Sequence, residues 1–188
     1  MLEIFETRIP EIKVLIPKRF GDNRGFFSES WNKQQMANLG LDYEWVQDNH
    51  SYSVVSPTVR GLHFQSPPHA QAKLVRCGQG RLFDVAVDIR KGSPTFGQWV
   101  GHDLSATNGA QLLIPEGFLH GFVTREPNTE IIYKCSDYYA PECDRAVRFD
   151  DSEIGIDWGI DPAFAVLSSK DQEAPFFRDF GSPFQYQG

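Results

Sequence analysis

Short runs of β-branched and aromatic residues, each closed by Gly, Pro, Asn or Asp, recur along this chain and commit it to many short strands. The runs are 12–16, 24–29, 43–47, 59–65, 72–77, 82–89, 97–103, 111–114, 120–124 and 129–136. One helix interrupts them over 32–39, with Asn32 as N-cap, Met36 and Leu39 three apart, and Gly40 past its end. Asp161-Pro162 and Ala174-Pro175 break the last stretch of chain into surface loops and short helical turns. No Ser/Gly tract or charge block divides the 188 residues, so 1–188 reads as one domain. About ten strands in one domain imply a mainly β, double-sheet jelly-roll barrel with a few short helices and a mouth for ligands.

In 82–89, period two puts Phe83, Val85, Val87 and Ile89 on one face and Asp84, Ala86 and Asp88 on the other. That polar face is either solvated or turned into a barrel interior that binds something. In the second case Lys73, on the preceding strand across Gly78-Gln79-Gly80, is expected to pair with Asp84. A cation fixed inside a barrel is suited to stabilising an oxyanion.

A net charge of −7 with no Lys/Arg stripe argues against general nucleic-acid binding, so an anionic substrate needs a local basic pocket. The acidic start, Met1-Leu2-Glu3-Ile4-Phe5-Glu6, lacks the order of a signal peptide, and no apolar stretch approaches bilayer length. A cytoplasmic protein with no membrane partner is the expectation. Cys77, Cys135 and Cys143 are odd in number and lack C-x-x-C spacing, which leaves buried or inert thiols.

The segment Arg60-Gly61-Leu62-His63-Phe64-Gln65, followed by Lys73, sets a histidine, which exchanges protons near neutral pH, beside two permanent cations. Downstream, Gly109, five residues, then Pro115-Glu116-Gly117-Phe118-Leu119-His120 resembles the second motif of the cupin jelly rolls, with Thr124 where their Asn stands. A cupin metal site takes two His and a Glu from its first motif. Here Gln65 replaces the second His, no Glu follows at the required spacing, and His69 reads as a surface residue. The expectation is a cupin barrel without a metal, His63 being a base rather than a ligand.

The chain resembles the dTDP-4-dehydrorhamnose 3,5-epimerase family over most of its length. The matching segments are 22–27, 47–51, 60–65, 71–75, 84–90, 115–122 and 133–135. The resemblance implies a metal-free cupin homodimer that exchanges N-terminal strands. It also implies a dTDP-sugar substrate, no cofactor, and a place in dTDP-L-rhamnose biosynthesis for lipopolysaccharide or cell-wall polysaccharide.

Epimerisation beside a ketone removes a proton to give an enolate and returns one to the opposite face. The resemblance places the base at His63, the acid at Tyr133 and an enolate-binding cation at Lys73. Asp171 is the carboxylate expected to orient His63, although alone it reads equally as a surface acid. Arg60 and Arg24, with Lys170, are the expected diphosphate cations. Strict alternation sends Arg60 and His63 to opposite faces, so a bulge or strand end is required if both reach one ligand. Glu29, Gln47, Asn49, His120 and Asp144 match further substrate contacts, and Phe27 and Tyr139 could stack on thymine. Taken singly, Phe27 reads as core, Glu29 as an edge-strand charge, Asn49 as a turn residue and Tyr139 as a loop aromatic. His120 could equally satisfy backbone groups beside Pro115.

Two other functions fit the residues. One is a single-site epimerase or ketoisomerase of another dTDP-deoxysugar pathway; the other is a sugar-binding or metal-dependent cupin.

Overall fold

The computed structural model describes residues 2–187. In chain order the strands are β1 (Leu2–Glu6), β2 (Lys13–Pro17), β3 (Arg19–Asp22), β4 (Gly25–Ser28), β5 (Gln47–Ser53), β6 (Val59–Gln65) and β7 (Lys73–Gln79). They continue as β8 (Arg81–Asp88), β9 (Trp99–Ser105), β10 (Gln111–Ile114), β11 (Phe118–Thr124), β12 (Thr129–Cys135) and β13 (Asp144–Ala146). A six-stranded antiparallel sheet has the order β1-β2-β10-β7-β12-β5, and a five-stranded sheet the order β13-β6-β11-β8-β9. The β3–β4 hairpin belongs to neither. The mainly β jelly-roll expectation holds.

Between the sheets, Val14, Val75, Leu112 and Ile131 from the first meet Leu82, Ala86, Leu104 and Phe122 from the second. The outer face of the five-stranded sheet is not left to water. Val59, Leu62, Val85, Val87 and Leu119 are covered by Phe149, Ile154 and Trp158, with Phe177, Phe180 and Phe184 from the last stretch of chain. That segment is therefore a packed cover rather than a surface wrap. Its cover makes β8 buried on both faces, and Asp84 and Asp88 are fully enclosed on the interior side. The helix α1 (Lys33–Asn38) lays Met36 over Leu15, Leu74 and Leu113, and Asn32 caps it by accepting the Gln35 amide at 3.0 Å.

Three expectations need correction. The run 43–47 is not a strand; Tyr43 and Trp45 stack at 5.3 Å and pack against the Leu15–Leu113 cluster. The strand starts at Gln47 instead, and its half-buried residues Gln47, Asn49 and Ser51, the last lining a cavity, are polar. Lys73 and Asp84 do not form a hairpin pair: β7 and β8 lie in different sheets, and Asp84 bonds His120. β1, β3 and β13 escaped the pattern because they are short and half exposed.

No helix among the described residues is long and apolar enough to cross a membrane. The three cysteines are free and buried.

Candidate active site

His63 sits opposite His120 in the β6–β11 ladder, and Arg60 sits opposite Phe122. Three steps along β6 are thus matched by two along β11, which is a bulge. Gly61 lies in it with φ +116°, and a Cβ there would be 2.7 Å from both Gly121 Cα and His120 O. The extra residue brings Arg60 round to the face that carries His63. Both line a cavity of about 260 Å³ with Lys73, His120, Tyr133 and Asp171.

The cavity has a wall from each sheet. His63 and His120 come from the five-stranded sheet, Lys73 and Tyr133 from the six-stranded sheet. Asp171 comes from α2 (Ser169–Gln172), whose N-cap Ser168 accepts the Asp171 amide at 3.2 Å. The Ser168 hydroxyl also donates to Asp171 Oδ2 at 2.7 Å, while His63 Nε2 lies 2.5 Å from Asp171 Oδ1. A carboxylate only accepts, so Nε2 carries the hydrogen and Nδ1 keeps the lone pair. Burial alone would raise the Asp171 pKa, but the bonds from His63 and Ser168 outweigh it and hold the carboxyl below its ordinary value.

A second imidazole–carboxylate pair adjoins the first. His120 Nε2 lies 2.7 Å from Asp84 Oδ1, both side chains being buried. Burial pushes the His120 pKa down, Asp84 draws it part of the way back, and Lys73 opposes that. Burial likewise lowers the Lys73 ammonium, against the pull of Cys135, Asp144 and Asp84. It raises the Tyr133 phenol, which therefore keeps its proton through the neutral range. Arg60 donates to Tyr52 O at 3.3 Å, and its buried Nε finds no partner among the described residues.

Gln65, at the position a second metal-binding His would occupy, is hydrogen-bonded at both ends. Its Nε2 donates to His69 O at 2.6 Å and Tyr138 O at 3.1 Å, and its Oε1 accepts the Ala140 amide at 2.8 Å. Gln47 Oε1 accepts the Tyr139 amide at 3.0 Å. The two glutamines tie the 138–140 loop to the barrel. Tyr139 Oη donates to Asp144 Oδ2 at 3.2 Å, and the Lys170 ammonium pairs with the same carboxylate. Tyr139, Asp144 and Lys170 therefore form one cluster, and β13 fastens it alongside β6. Asn49 lies on the inward face of β5, opposite Tyr133, and its amide approaches Cys135 Sγ at 3.5 Å.

Arg24, Phe27 and Glu29 lie apart from the cavity. Arg24 pairs with Asp22 at 2.5 Å on the exposed hairpin, Phe27 is 69% exposed, and Glu29 is exposed. The sequence reading missed Ser51, Phe122 and Ser168 in the cavity wall. Ser168 carried a signal, since Ser-x-x-Asp is a helix-start pattern that ends here on Asp171.

Comparison with known proteins adds to this geometry. A family model described as dTDP-4-dehydrorhamnose 3,5-epimerase matches residues 6–179. The dTDP-4-dehydrorhamnose 3,5-epimerase of Salmonella typhimurium is 52% identical over 176 residues, covering 93% of this chain and 95% of that protein. The Legionella pneumophila dTDP-6-deoxy-D-glucose-3,5-epimerase, solved with dTDP-4-keto-L-rhamnose, superposes with TM-score 0.95 at 43% identity, over 100% of both chains. The Bacillus anthracis dTDP-4-dehydrorhamnose 3,5-epimerase, solved with TDP and PPi, gives TM-score 0.91 at 47% identity, over 94% of this chain and 100% of that one.

Proposed function

Because this chain belongs to the dTDP-4-dehydrorhamnose 3,5-epimerase family, we propose that the cavity between its sheets is where that reaction occurs. The enzyme is an isomerase that converts dTDP-4-dehydro-6-deoxy-D-glucose to dTDP-4-dehydro-L-rhamnose, a step of dTDP-L-rhamnose biosynthesis. The observation that carries the residue assignment is that His63 and Tyr133 reach the cavity from opposite sheets. A base and an acid so placed address opposite faces of one sugar ring.

His63 Nδ1 takes the proton from C3 or C5, and the C–H electron pair moves into the ring while the C4 carbonyl becomes an enolate. Asp171 holds the imidazole in the tautomer that leaves Nδ1 free and stabilises the imidazolium that forms. Lys73 donates to the C4 oxygen as its charge grows, an interaction worth about 3 kcal/mol in a transition state. Tyr133 Oη then delivers its proton to the far face of the same carbon, inverting it. The imidazolium loses and the phenolate regains a proton through solvent at the mouth, where His63 is 28% exposed. Only protons move, so the steps balance without an oxidant or reductant. Arg60, with its unpartnered Nε, anchors the diphosphate, and Tyr139 stacks on thymine while Asp144 and Lys170 hold its edge of the site.

Arg24, Phe27 and Glu29 fit the same reading if a second copy supplies them. The β3–β4 hairpin lies outside both sheets and exposes Phe20, Phe26 and Phe27, an apolar tip suited to a partner. We infer a homodimer in which each hairpin completes the other cavity. The leading strand β1 pairs with β2 of its own chain, so the exchanged element in this reading is the hairpin. A single catalytic domain in the cytoplasm accords with the nucleotide-sugar substrate.

Turnover in heavy water tests the reaction. Deuterium is expected at both C3 and C5 of the product. Incorporation at one carbon alone would replace this reading with a single-site epimerase or a ketoisomerase of another dTDP-deoxysugar pathway.

A further inference from the structure

Asp84 is fully enclosed on the interior face of β8, with one oxygen bonded to His120 and the other, Oδ2, without a partner among the described residues. A buried carboxylate oxygen left unpaired is costly, so a site that keeps one uses its charge. Two cationic or protonatable groups share its field, Lys73 from the facing sheet and His102, its partner on β9.

We propose that Asp84 is a positioning residue for the epimerisation. It fixes His120 with Nδ1 as a cavity-facing acceptor for a sugar hydroxyl, and it adds a fully enclosed negative charge facing the sheet that carries Lys73. The first half follows from donor chemistry. Asp84 accepts only, so His120 Nε2 carries the hydrogen and Nδ1 is left as an acceptor. The buried, neutral imidazole suits that role, since an imidazolium has no lone pair to offer. The second half follows from the fold, which sets β7 and β8 in opposite sheets, with Lys73 lining the cavity and Asp84 enclosed behind His120. The charged and titratable groups facing Lys73 are Cys135 from β12, Asp144 from β13, Lys170 from α2 and Asp84 from β8. Cys135 and Asp144 act on Lys73 more strongly than Asp84 does, but Asp144 is shared with Lys170 and only Asp84 is a fully enclosed carboxylate.

The inference rests on Lys73 stabilising the enolate, and the experiment separates the two. In Asp84→Asn the shape is kept and the charge lost, so the Lys73 pKa falls. The alkaline limb of the kcat profile is then expected to move to lower pH. A variant damaged only in structure would lose activity at every pH with that limb in place, and this result would overturn the proposal. Histidine 15N spectra give a second readout that needs no turnover. In the unaltered enzyme His120 should be the Nε2–H tautomer at neutral pH, and an Nδ1–H tautomer or an imidazolium would overturn the proposal even if Asp84→Asn fails to fold. In Lys73→Met, His120 should titrate at higher pH than in the unaltered enzyme, because a neighbouring cation is gone; an unmoved titration counts against the coupling. Full activity in Lys73→Met would defeat the role of Lys73 while leaving the His120 tautomer to decide the role of Asp84.

Discussion

His63 and Asp171 are joined at 2.5 Å across 108 residues of sequence. The bond fixes which imidazole nitrogen bears the lone pair. In Asp171→Asn the amide NH₂ can donate to Nε2 instead, driving the hydrogen to Nδ1 and disabling the base. kcat is expected to fall about 10³-fold or more with KM nearly unchanged, measured under saturating keto-sugar nucleotide. The depressed Asp171 pKa also makes a stability prediction. Its contribution is fully present above the unfolded carboxyl pKa and is lost as pH falls through the lower folded value. The acid limb of a thermal-denaturation series should therefore be shallower in Asp171→Asn.

If Tyr133 is the acid, Tyr133→Phe keeps His63 and Lys73 but removes the far-face proton. In heavy water the variant should wash deuterium into recovered substrate while product formation drops at least about 10²-fold. Loss of substrate exchange together with product would show that Tyr133 is needed before the enolate forms.

If the hairpin completes a neighbouring cavity, Arg24→Ala and His63→Ala spoil different halves of a shared site. Each alone should be nearly inactive. After co-refolding, a mixed dimer holds one intact site, so activity should return to roughly a quarter of the unaltered level. No recovery, with a dimer confirmed by light scattering, would place Arg24 outside the partner's site.

Gln65→Leu removes three hydrogen bonds, two of which, to Tyr138 O and from the Ala140 amide, tie the 138–140 loop to the barrel. Tyr139 is carried by that loop, whereas His63, Lys73 and Tyr133 are on strands. KM should rise about tenfold, with kcat changed less than about threefold. A fall in kcat instead would mean that the glutamine supports the base.

Gly61→Ala forces a side chain into left-handed backbone and into contact at 2.7 Å with β11. The expected loss is about 3 kcal/mol, read from denaturant titration. A loss below about 1 kcal/mol would show that the bulge relaxes easily.

Particular residues show how far the sequence could be read. The His63–Gln65–Lys73 grouping and the Pro115 turn before His120 declared the cavity wall because short motifs carry their own geometry. Asp171 was legible as an acid of the right kind, but its pairing with His63 is tertiary and needs the α2 turn. Strand β5 was missed because its inward positions, Gln47, Asn49 and Ser51, are polar, and alternation was sought in hydrophobicity. The Gly-Gln-Gly turn suggests a hairpin that would pair Lys73 with Asp84. The chain instead crosses there from one sheet to the other, a topological fact invisible to local pattern.

The last stretch of chain both covers the five-stranded sheet and carries Asp171. A chain cut before α2 would lack the carboxylate that pairs with His63. Without that aromatic cover, Val85, Val87 and Leu119 on the outer face of the five-stranded sheet would face water. One segment thus shields an apolar sheet face and brings a carboxylate to His63.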